Sequence, residues 1–397
     1  MESPALKKRV RIESIDILRG IVMVIMALDH TRDYFNNADP LNFATTTPLL
    51  FFTRWITHYC APIFVFLSGT SAYLQSLRKS PGVLQSFLIK RGLWLIFIEV
   101  VVITLAWTFD PLYHLIILQV IWAIGISMVV LGLLVRLPVN AIGLIGLAVV
   151  LGHNLLDIPE GAAGFQAGFW WDLLHHGRFS YYPLAAHHGL IIVYAFVPWT
   201  GLMLLGYWAG VFFSEKYSPE RRKRILARIG IGLIAGFVIL RGINMYGNPE
   251  PWSTQKNGVF TLLSFLNVHK YPPSLMYSCM TLGPAFLLLS LFEGIRNRFT
   301  RNIEIYGRVA FFYYVIHLYL LHTISVIFFF ARGHSLQEGA QMVPGLPRFY
   351  FLAARDGYSL LVVYVIWISV VVALFPLCKW YDQYKRNHRE KWWLSYL

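Results

Sequence analysis

The chain has 397 residues, of which 57% are hydrophobic and only 14% are charged. A soluble globular fold cannot bury so much apolar surface and is therefore excluded, which leaves the lipid bilayer as the solvent of most of the chain. The net charge of +14 excludes nothing until the basic residues are placed along the sequence, because a basic balance also fits nucleic-acid binding.

Apolar windows recur along the whole chain. A helix needs about 20 apolar residues to cross about 30 Å of hydrocarbon, and ten stretches meet this requirement. They predict an all-α, polytopic integral membrane protein with about ten transmembrane helices. The windows are 14–35, 49–76, 86–109, 112–135, 138–156, 188–213, 225–246, 273–292, 305–330 and 357–379.

The basic residues predict the orientation in the membrane. If the N-terminus is cytoplasmic, 23 of the 34 Lys and Arg residues lie at inner helix ends or in inner loops, and 6 lie in outer loops. The positive-inside rule therefore places both ends in the cytoplasm, and the basic balance does not indicate DNA binding. The inner group includes Lys7, Lys8, Arg9, Arg11, Arg91, Arg136, Lys385, Arg386, Arg389 and Lys391, and the outer group is Arg178, Lys256, Lys270, Arg332, Arg348 and Arg355.

This topology divides the chain into a cytoplasmic segment at 1–13, a transmembrane domain at 14–379 and a basic cytoplasmic tail at 380–397. The three cysteines, Cys60, Cys279 and Cys378, lie inside or at the ends of predicted spans, so no disulfide framework or cysteine zinc site is expected.

Ionisable residues inside a span are costly and are therefore functional candidates. In the first span Asp16 and Arg19 share a helix face, and His30 returns to that face about 16 Å further along the axis. The second span carries Arg54 and His58 one turn apart. Further along it, Pro62 is expected to kink the helix, and Ser68 and Gly69 allow another backbone to approach closely.

The topology places several more polar residues in the outer half of the membrane, at the depth of His30 and His58. A neutral histidine beside a carboxylate is suited to act as a general base, with Asp33 or Asp29 as the partner of His30. No H-x-x-x-H or HExxH pair occurs within a span, so no metal is expected. The other members of the layer are His114, Gln119, His153, Asn154, Asp157, Arg241, Asn244 and His322.

The inner half is poorer in polar residues. Arg19, Arg91 and Arg308 lie there together with Asp16 and Glu99. Two interpretations stay open, which are structural ion pairs and a cationic vestibule for the phosphates of a cytoplasmic donor.

Two N-terminal motifs carry a family resemblance. Ser-Ile-Asp-Ile-Leu-Arg-Gly at 14–20, followed by Phe-Val-Phe-Leu-Ser-Gly-Thr at 64–70, resembles the heparan-alpha-glucosaminide N-acetyltransferase catalytic family. The resemblance implies that acetyl-CoA from the cytoplasm acetylates an amino sugar or a related acceptor on the far side, through an essential histidine. The segment 36–50, where that family has its catalytic histidine, contains none. Further segments that resemble the family are 118–125, 152–157, 271–275 and 306–308.

The resulting hypothesis is a membrane-bound O- or N-acyltransferase in a bacterial cytoplasmic membrane, with acetyl-CoA as donor and a sugar or glycan as acceptor. His30 acts as the base, His58 is the second candidate, and Asp29 or Asp33 orients the base while Arg54 stabilises the oxyanion. An acetyl-histidine intermediate is the variant. The alternative function is a transporter or flippase for a polar solute or lipid head group. Membrane lipids are expected partners, and a homodimer is left open. The predicted donor-binding residues are Asp16, Arg19, Ser68, Gly69, Arg91 and Arg308, and the predicted acceptor-binding residues are His114, Gln119, His153, Asn154, Asp157, Arg241 and Asn244.

Overall fold

The computed structural model describes residues 12–340, 349–388 and 390–395. Within these ranges the chain is mostly helical, as the apolar windows predict. Most of the segment 1–13 lies outside the described residues, so its predicted cytoplasmic position stays a prediction. The basic residues outside the described ranges are Lys7, Lys8, Arg9, Arg11, Arg348 and Arg389.

Helices and three short strands make up the N-terminal half. The first helix, α1, has acidic residues in its first turn, and the second begins at Pro48 with the Thr47 side chain accepting from the Leu50 amide at 3.2 Å. The elements are α1 (Glu13–Phe35), α2 (Pro48–Thr57), α3 (Cys60–Ser76), α4 (Pro81–Ile98), a π-helical turn (Glu99–Ile103), α5 (Thr104–Thr108), β1 (Leu115–Leu118), α6 (Val120–Leu134), α7 (Val139–Gly152), a 3₁₀ turn (His153–Leu156), α8 (Asp157–Glu160), α9 (Phe169–Leu174), β2 (Ser180–Ala185) and β3 (His188–Ile192).

The regular elements of the C-terminal half are all helices or 3₁₀ turns among the described residues. Its elements are α10 (Phe196–Ala209), a 3₁₀ turn (Gly210–Phe213), α11 (Pro219–Ile243), α12 (Gly258–Leu266), α13 (Leu275–Phe292), α14 (Arg298–Arg308), α15 (Ala310–Ala331), α16 (Leu336–Ala340), 3₁₀ turns at Ala353–Asp356 and Trp392–Ser395, and α17 (Leu360–Asn387).

Seven helical segments among the described residues are long and apolar enough to cross a membrane. The chain is therefore a multi-pass membrane protein. Helix α1 has 23 residues, a length of about 34 Å, but it carries ionisable side chains near both ends. The count of about ten spans thus stays a prediction. The seven segments are Pro48–Ser76, Val139–Glu160, Phe196–Phe213, Pro219–Ile243, Leu275–Phe292, Ala310–Ala331 and Leu360–Asn387.

A small sheet corrects the purely helical expectation. The windows at 112–135 and 188–213 each begin as a strand and become helical only afterwards. The strand order is β1-β3-β2, with β1 parallel and β2 antiparallel to β3. Runs such as Leu-Ile-Ile-Leu are apolar enough to extend a predicted span, but short buried strands and helices have the same composition.

The second predicted span is one segment with a break in its middle. Helix α2 ends at Thr57 and α3 begins at Cys60, so the break lies just before Pro62. Proline has no N–H, and Pro62 therefore leaves the carbonyl of His58 without a helical partner. The Tyr277 hydroxyl donates to that carbonyl at 2.7 Å. The kink predicted at Pro62 is thus a helix break that positions His58.

Helix α1 packs against α13, α14, α15 and α17, and its crossing with α14 is the closest. A methyl group at Gly307 would overlap the carbonyl oxygen of Asp16, and one at Gly20 would overlap that of Ile303. The two backbones are therefore in direct contact, as small residues allow in membrane proteins.

This contact gives a stability prediction. Gly307→Ala forces α1 and α14 apart and should lower the free energy of unfolding by about 1–3 kcal/mol, seen as a lower melting temperature in detergent. Gly236→Ala is the matched control, because nothing lies within 4 Å of its added methyl group and alanine favours the helix. Equal melting temperatures for the two variants would contradict the packing argument.

Candidate functional site

Two cavities meet beside α1. One has a volume of about 580 Å³ and is lined by the C-terminal half of α1, and the other has about 300 Å³ and is lined by its N-terminal half. We call them the outer and the inner cavity, after the predicted orientation. The two cavities share four lining residues, so they adjoin at one constriction. These residues are Met26, Phe64, Val120 and Tyr314.

His58 lines the outer cavity at the break between α2 and α3. Its side chain is buried, and neither ring nitrogen has a hydrogen-bond partner among the described residues. Its backbone carbonyl, in contrast, is fixed by Tyr277. A buried polar ring without a partner is costly for folding, which favours a functional reason for its position.

The hydrogen bonds of His30 define which of its nitrogens carries a lone pair. His30 Nδ1 lies 2.7 Å from Nε2 of His317, and His317 Nδ1 lies 2.9 Å from the carbonyl oxygen of Tyr313. A carbonyl only accepts, so His317 donates through Nδ1 and accepts through Nε2. His30 must then donate through Nδ1. In the neutral ring its Nε2 is therefore a proton acceptor, and the side chain lines the outer cavity.

Aromatic rings surround this pair. Trp107 meets His30 edge-on at 5.0 Å between ring centroids, and Tyr314 does so at 6.0 Å. Tyr194 and Tyr271 also line the outer cavity and contact each other at 5.2 Å. Such walls suit the apolar face of a sugar ring, while the histidines suit its polar groups.

Charged side chains lie at the C-terminal end of α1. Arg32 pairs with Asp29 at 3.1 Å and with Asp33 at 2.7 Å. Lys270 approaches Asp29 at 4.0 Å from the segment before α13. Burial acts to lower the pKa of Lys270, but the oxygens of Tyr271 and Asp29 raise it above its ordinary value, so this amine is a cation. Asp33 thus orients Arg32, whereas His317 takes the place that we predicted for Asp33 or Asp29 beside His30.

Arg54 lines the outer cavity together with these groups. Gln119 lines it too, and its backbone amide donates to the buried Glu99 at 3.2 Å. The structure therefore brings together His30, His58, Asp29, Asp33, Arg54 and Gln119 in one cavity, all of them candidates from the sequence.

Arginines line the inner cavity. Arg19 contacts Asp16 at 3.2 Å and donates to the Ser71 hydroxyl at 3.1 Å. Arg308 is bound by Asp382 at 2.8 Å and by Glu304 at 2.6 Å. The ion-pair interpretation thus describes the contacts of Arg19 and Arg308, while the vestibule for a donor stays a prediction. The polar residues that line it are Arg19, Ser68, Ser71, Gln75, Arg91, Arg308 and Lys385.

Several predicted residues lie outside both cavities. Gly69 packs against the backbone of Met203 in α10. Arg241 donates to the carbonyls of Phe265, Glu250, Ser264 and Asn267, and Asn244 ends α11 in a left-handed conformation and binds the backbone of Trp252. Their contacts are those of structural residues. The remaining ones are Asp16, which pairs with Arg19, His114, which pairs with Asp110, and His153, Asn154 and Asp157, which form a cluster of their own.

Sequence reasoning missed several residues of the outer cavity. His317 was not among the predicted residues, although its Nε2 lies 2.7 Å from Nδ1 of His30. Lys270 was counted only for topology. Its neighbour Tyr271, in a segment that resembles the family, was the available signal. The missed lining residues are Trp107, Tyr194, His269, Lys270, Tyr271 and Tyr314, and the missed partner of His30 is His317.

Replacing the two buried histidines His58 and His322 should affect stability to different degrees. His58→Phe breaks no hydrogen bond and adds volume beside a cavity, so the free energy of unfolding should change by less than about 1.5 kcal/mol. His322→Phe removes the partner of the Ala106 and Tyr350 carbonyls, both at 2.8 Å, and should cost about 2–3 kcal/mol. Melting temperatures in detergent check this. A larger loss of stability for His58→Phe than for His322→Phe would contradict the argument that the buried His58 ring has a functional role.

The comparison with protein families agrees with this geometry. The family model described as "Heparan-alpha-glucosaminide N-acetyltransferase, catalytic" matches residues 11–236, more than half of the chain, and covers α1 with His30 and the break with His58. Helices α13, α15 and α17 lie beyond the match. No curated protein sequence matches the chain significantly. The chain therefore belongs to the heparan-alpha-glucosaminide N-acetyltransferase catalytic family, a family of membrane acetyltransferases.

Proposed function

We propose that the protein transfers an acetyl group from cytoplasmic acetyl-CoA to a hydroxyl or amine of a sugar or glycan at the outer face of a bacterial cytoplasmic membrane. The observation that carries this proposal is the pair of cavities that adjoin at Met26, Phe64, Val120 and Tyr314. One is lined by arginines, and the other by histidines, carboxylates and aromatic rings. This matches a donor entering from one side and an acceptor from the other.

The donor is proposed to bind in the inner cavity. Arg19, Arg91, Arg308 and Lys385 supply positive charge for its phosphates, as guanidinium groups suit phosphate oxygens. The pantetheine arm then reaches the constriction between Phe64 and Tyr314. About 16 Å separates Arg19 from His30 along α1, so an extended donor is needed to bridge the two cavities.

The acceptor is proposed to bind in the outer cavity, next to His30 and His58. Nε2 of His30 takes the proton of the acceptor hydroxyl or amine, and the freed oxygen or nitrogen attacks the thioester carbonyl. The carbon–sulfur bond then breaks, and the thiolate of coenzyme A takes up the proton that His30 received. Arg54 is the candidate that stabilises the oxyanion, and Arg32 with its two aspartates shapes the cavity. Direct transfer and an acetyl-histidine intermediate both fit these roles.

Transport is the second candidate, because the two cavities adjoin near the middle of α1 and would also form a route for a polar solute or lipid head group. The two functions differ in chemistry. Only an acetyltransferase consumes acetyl-CoA and leaves a labelled, acetylated product.

The decisive activity experiment uses purified protein, radiolabelled acetyl-CoA and a panel of sugars and glycans. His30→Ala should lower kcat by about 10²–10⁴-fold, because the base is lost. His317→Phe removes the acceptor for His30 Nδ1 and should also lower kcat while the KM for acetyl-CoA stays the same. His322→Gln is the control at a buried histidine that lies outside both cavities. Turnover unaffected by His30→Ala and His58→Ala would refute the proposed base, and absence of donor binding would refute the enzyme.

The inner cavity gives a separate prediction on donor affinity. Arg91→Ala should raise the KM for acetyl-CoA about tenfold with little change in kcat, because one charge that faces the donor phosphates is lost. Arg136→Ala is the matched control, as this arginine is exposed at the same predicted side and lines neither cavity. A KM equally affected in both variants would contradict a specific phosphate site.

A further inference from the structure

A partly buried cluster lies apart from the two cavities, in the segment that follows α7. Asp157, Glu160 and His175 each offer one ligand atom, and these atoms lie within 4.8 Å of one another. The side chains of Glu160 and His175 are both only 2% exposed. We propose that this cluster binds a divalent transition-metal ion of the zinc type.

The local fold explains why the three side chains converge. Helix α7 continues through a 3₁₀ turn into α8, on which Asp157 and Glu160 are three residues apart and share a face. The chain then returns through α9, and His175 follows its last residue. Two ligands thus come from one helix end and the third from a neighbouring short helix.

Each carboxylate has one oxygen held by the protein and one left over. Asn154 donates to Asp157 Oδ2 at 2.6 Å, and Trp171 donates to Glu160 Oε1 at 2.8 Å. Asp157 Oδ1 and Glu160 Oε2 are buried and have no hydrogen-bond partner among the described residues. Arg178 approaches Glu160 Oε2 only to 3.8 Å, so a single distant cation faces two carboxylates. A bound dication satisfies both remaining oxygens.

Hydrogen bonds hold both ring nitrogens of His175. Nδ1 lies 2.7 Å from Glu160 Oε1, and Nε2 lies 3.1 Å from Nδ1 of His153. Nδ1 donates to the Glu160 carboxylate in the metal-free protein, and a metal ion bound to Nδ1 would take the place of that proton.

A histidine that binds zinc usually donates its other N–H to a neighbouring acceptor, and His175 would do so through Nε2 to Nδ1 of His153. One imidazole and two carboxylates are a ligand set for Zn²⁺ or a related transition metal, whereas Mg²⁺ and Ca²⁺ prefer oxygens alone.

The site also has a structural consequence for the outer cavity. Asn154, which donates to Asp157, accepts through Oδ1 from the Leu275 amide at 2.9 Å. The ion would therefore fasten the segment that carries Lys270 and Tyr271 into the outer cavity. This role does not depend on the proposed acetyl transfer.

The test uses the full chain purified with a tag that contains no histidine. After dialysis against EDTA and re-addition of Zn²⁺, elemental analysis should find about one zinc ion per chain, and zinc should raise the melting temperature. Glu160→Gln and His175→Gln should each reduce zinc retention at least about tenfold. His114→Gln is the matched control, because His114 also bonds to one carboxylate, Asp110 at 2.8 Å, without further ligands.

Wild-type protein that retains no zinc after re-addition would overturn the proposal, as would retention by both cluster variants. A preference for Mg²⁺ or Ca²⁺ over Zn²⁺ would overturn the assigned ion class. Size-exclusion profiles and helical circular dichroism identify variants that fail to fold, and Asp157→Asn then provides a milder replacement in which the isosteric side chain loses only its charge.

Discussion

The ionisable residues of α1 constrain the rest of the protein, because charged side chains that neighbouring helices bury are costly unless they are paired. At one end Arg19 is held by Asp16 and by the Ser71 hydroxyl. At the other end Asp29 lies between Arg32 and Lys270. Lys270 comes from a loop 241 residues away in sequence, so the loop before α13 must fold onto the end of α1. Both cavities form around these two groups of charges.

Two backbone carbonyls then determine what the histidines can do. The carbonyl of Tyr313 accepts from His317, and this single bond propagates through His317 to leave Nε2 of His30 as an acceptor. The carbonyl of His58, freed by Pro62, is fixed by Tyr277, which holds the ring of His58 at the cavity without engaging its nitrogens. Backbone geometry, which is insensitive to the acceptor molecule, thus sets the protonation pattern of the site.

The sequence was informative where the signal is local and periodic. The apolar windows predicted most helices, and the spacing of Arg19 and His30 on one helix placed them in adjoining cavities. It was uninformative where contacts join distant segments. His30 and His317 are 287 residues apart, and no pattern in either helix indicates that they meet. The strands were not predicted for another reason: a short apolar run does not distinguish a strand from the start of a helix.

The polar residues that were predicted to form one layer in the outer half lie in several separate sites. Burial of a polar side chain requires a partner but not a shared one, so equal depth does not imply a common site. Arg241 satisfies loop carbonyls, whereas His153 belongs to the cluster around His175. That cluster is joined to the segment that follows Lys270 and Tyr271 by the hydrogen bond from the Leu275 amide to Asn154. A metal bound at the cluster would therefore act on the outer cavity by limiting the freedom of one loop, without taking part in the chemistry.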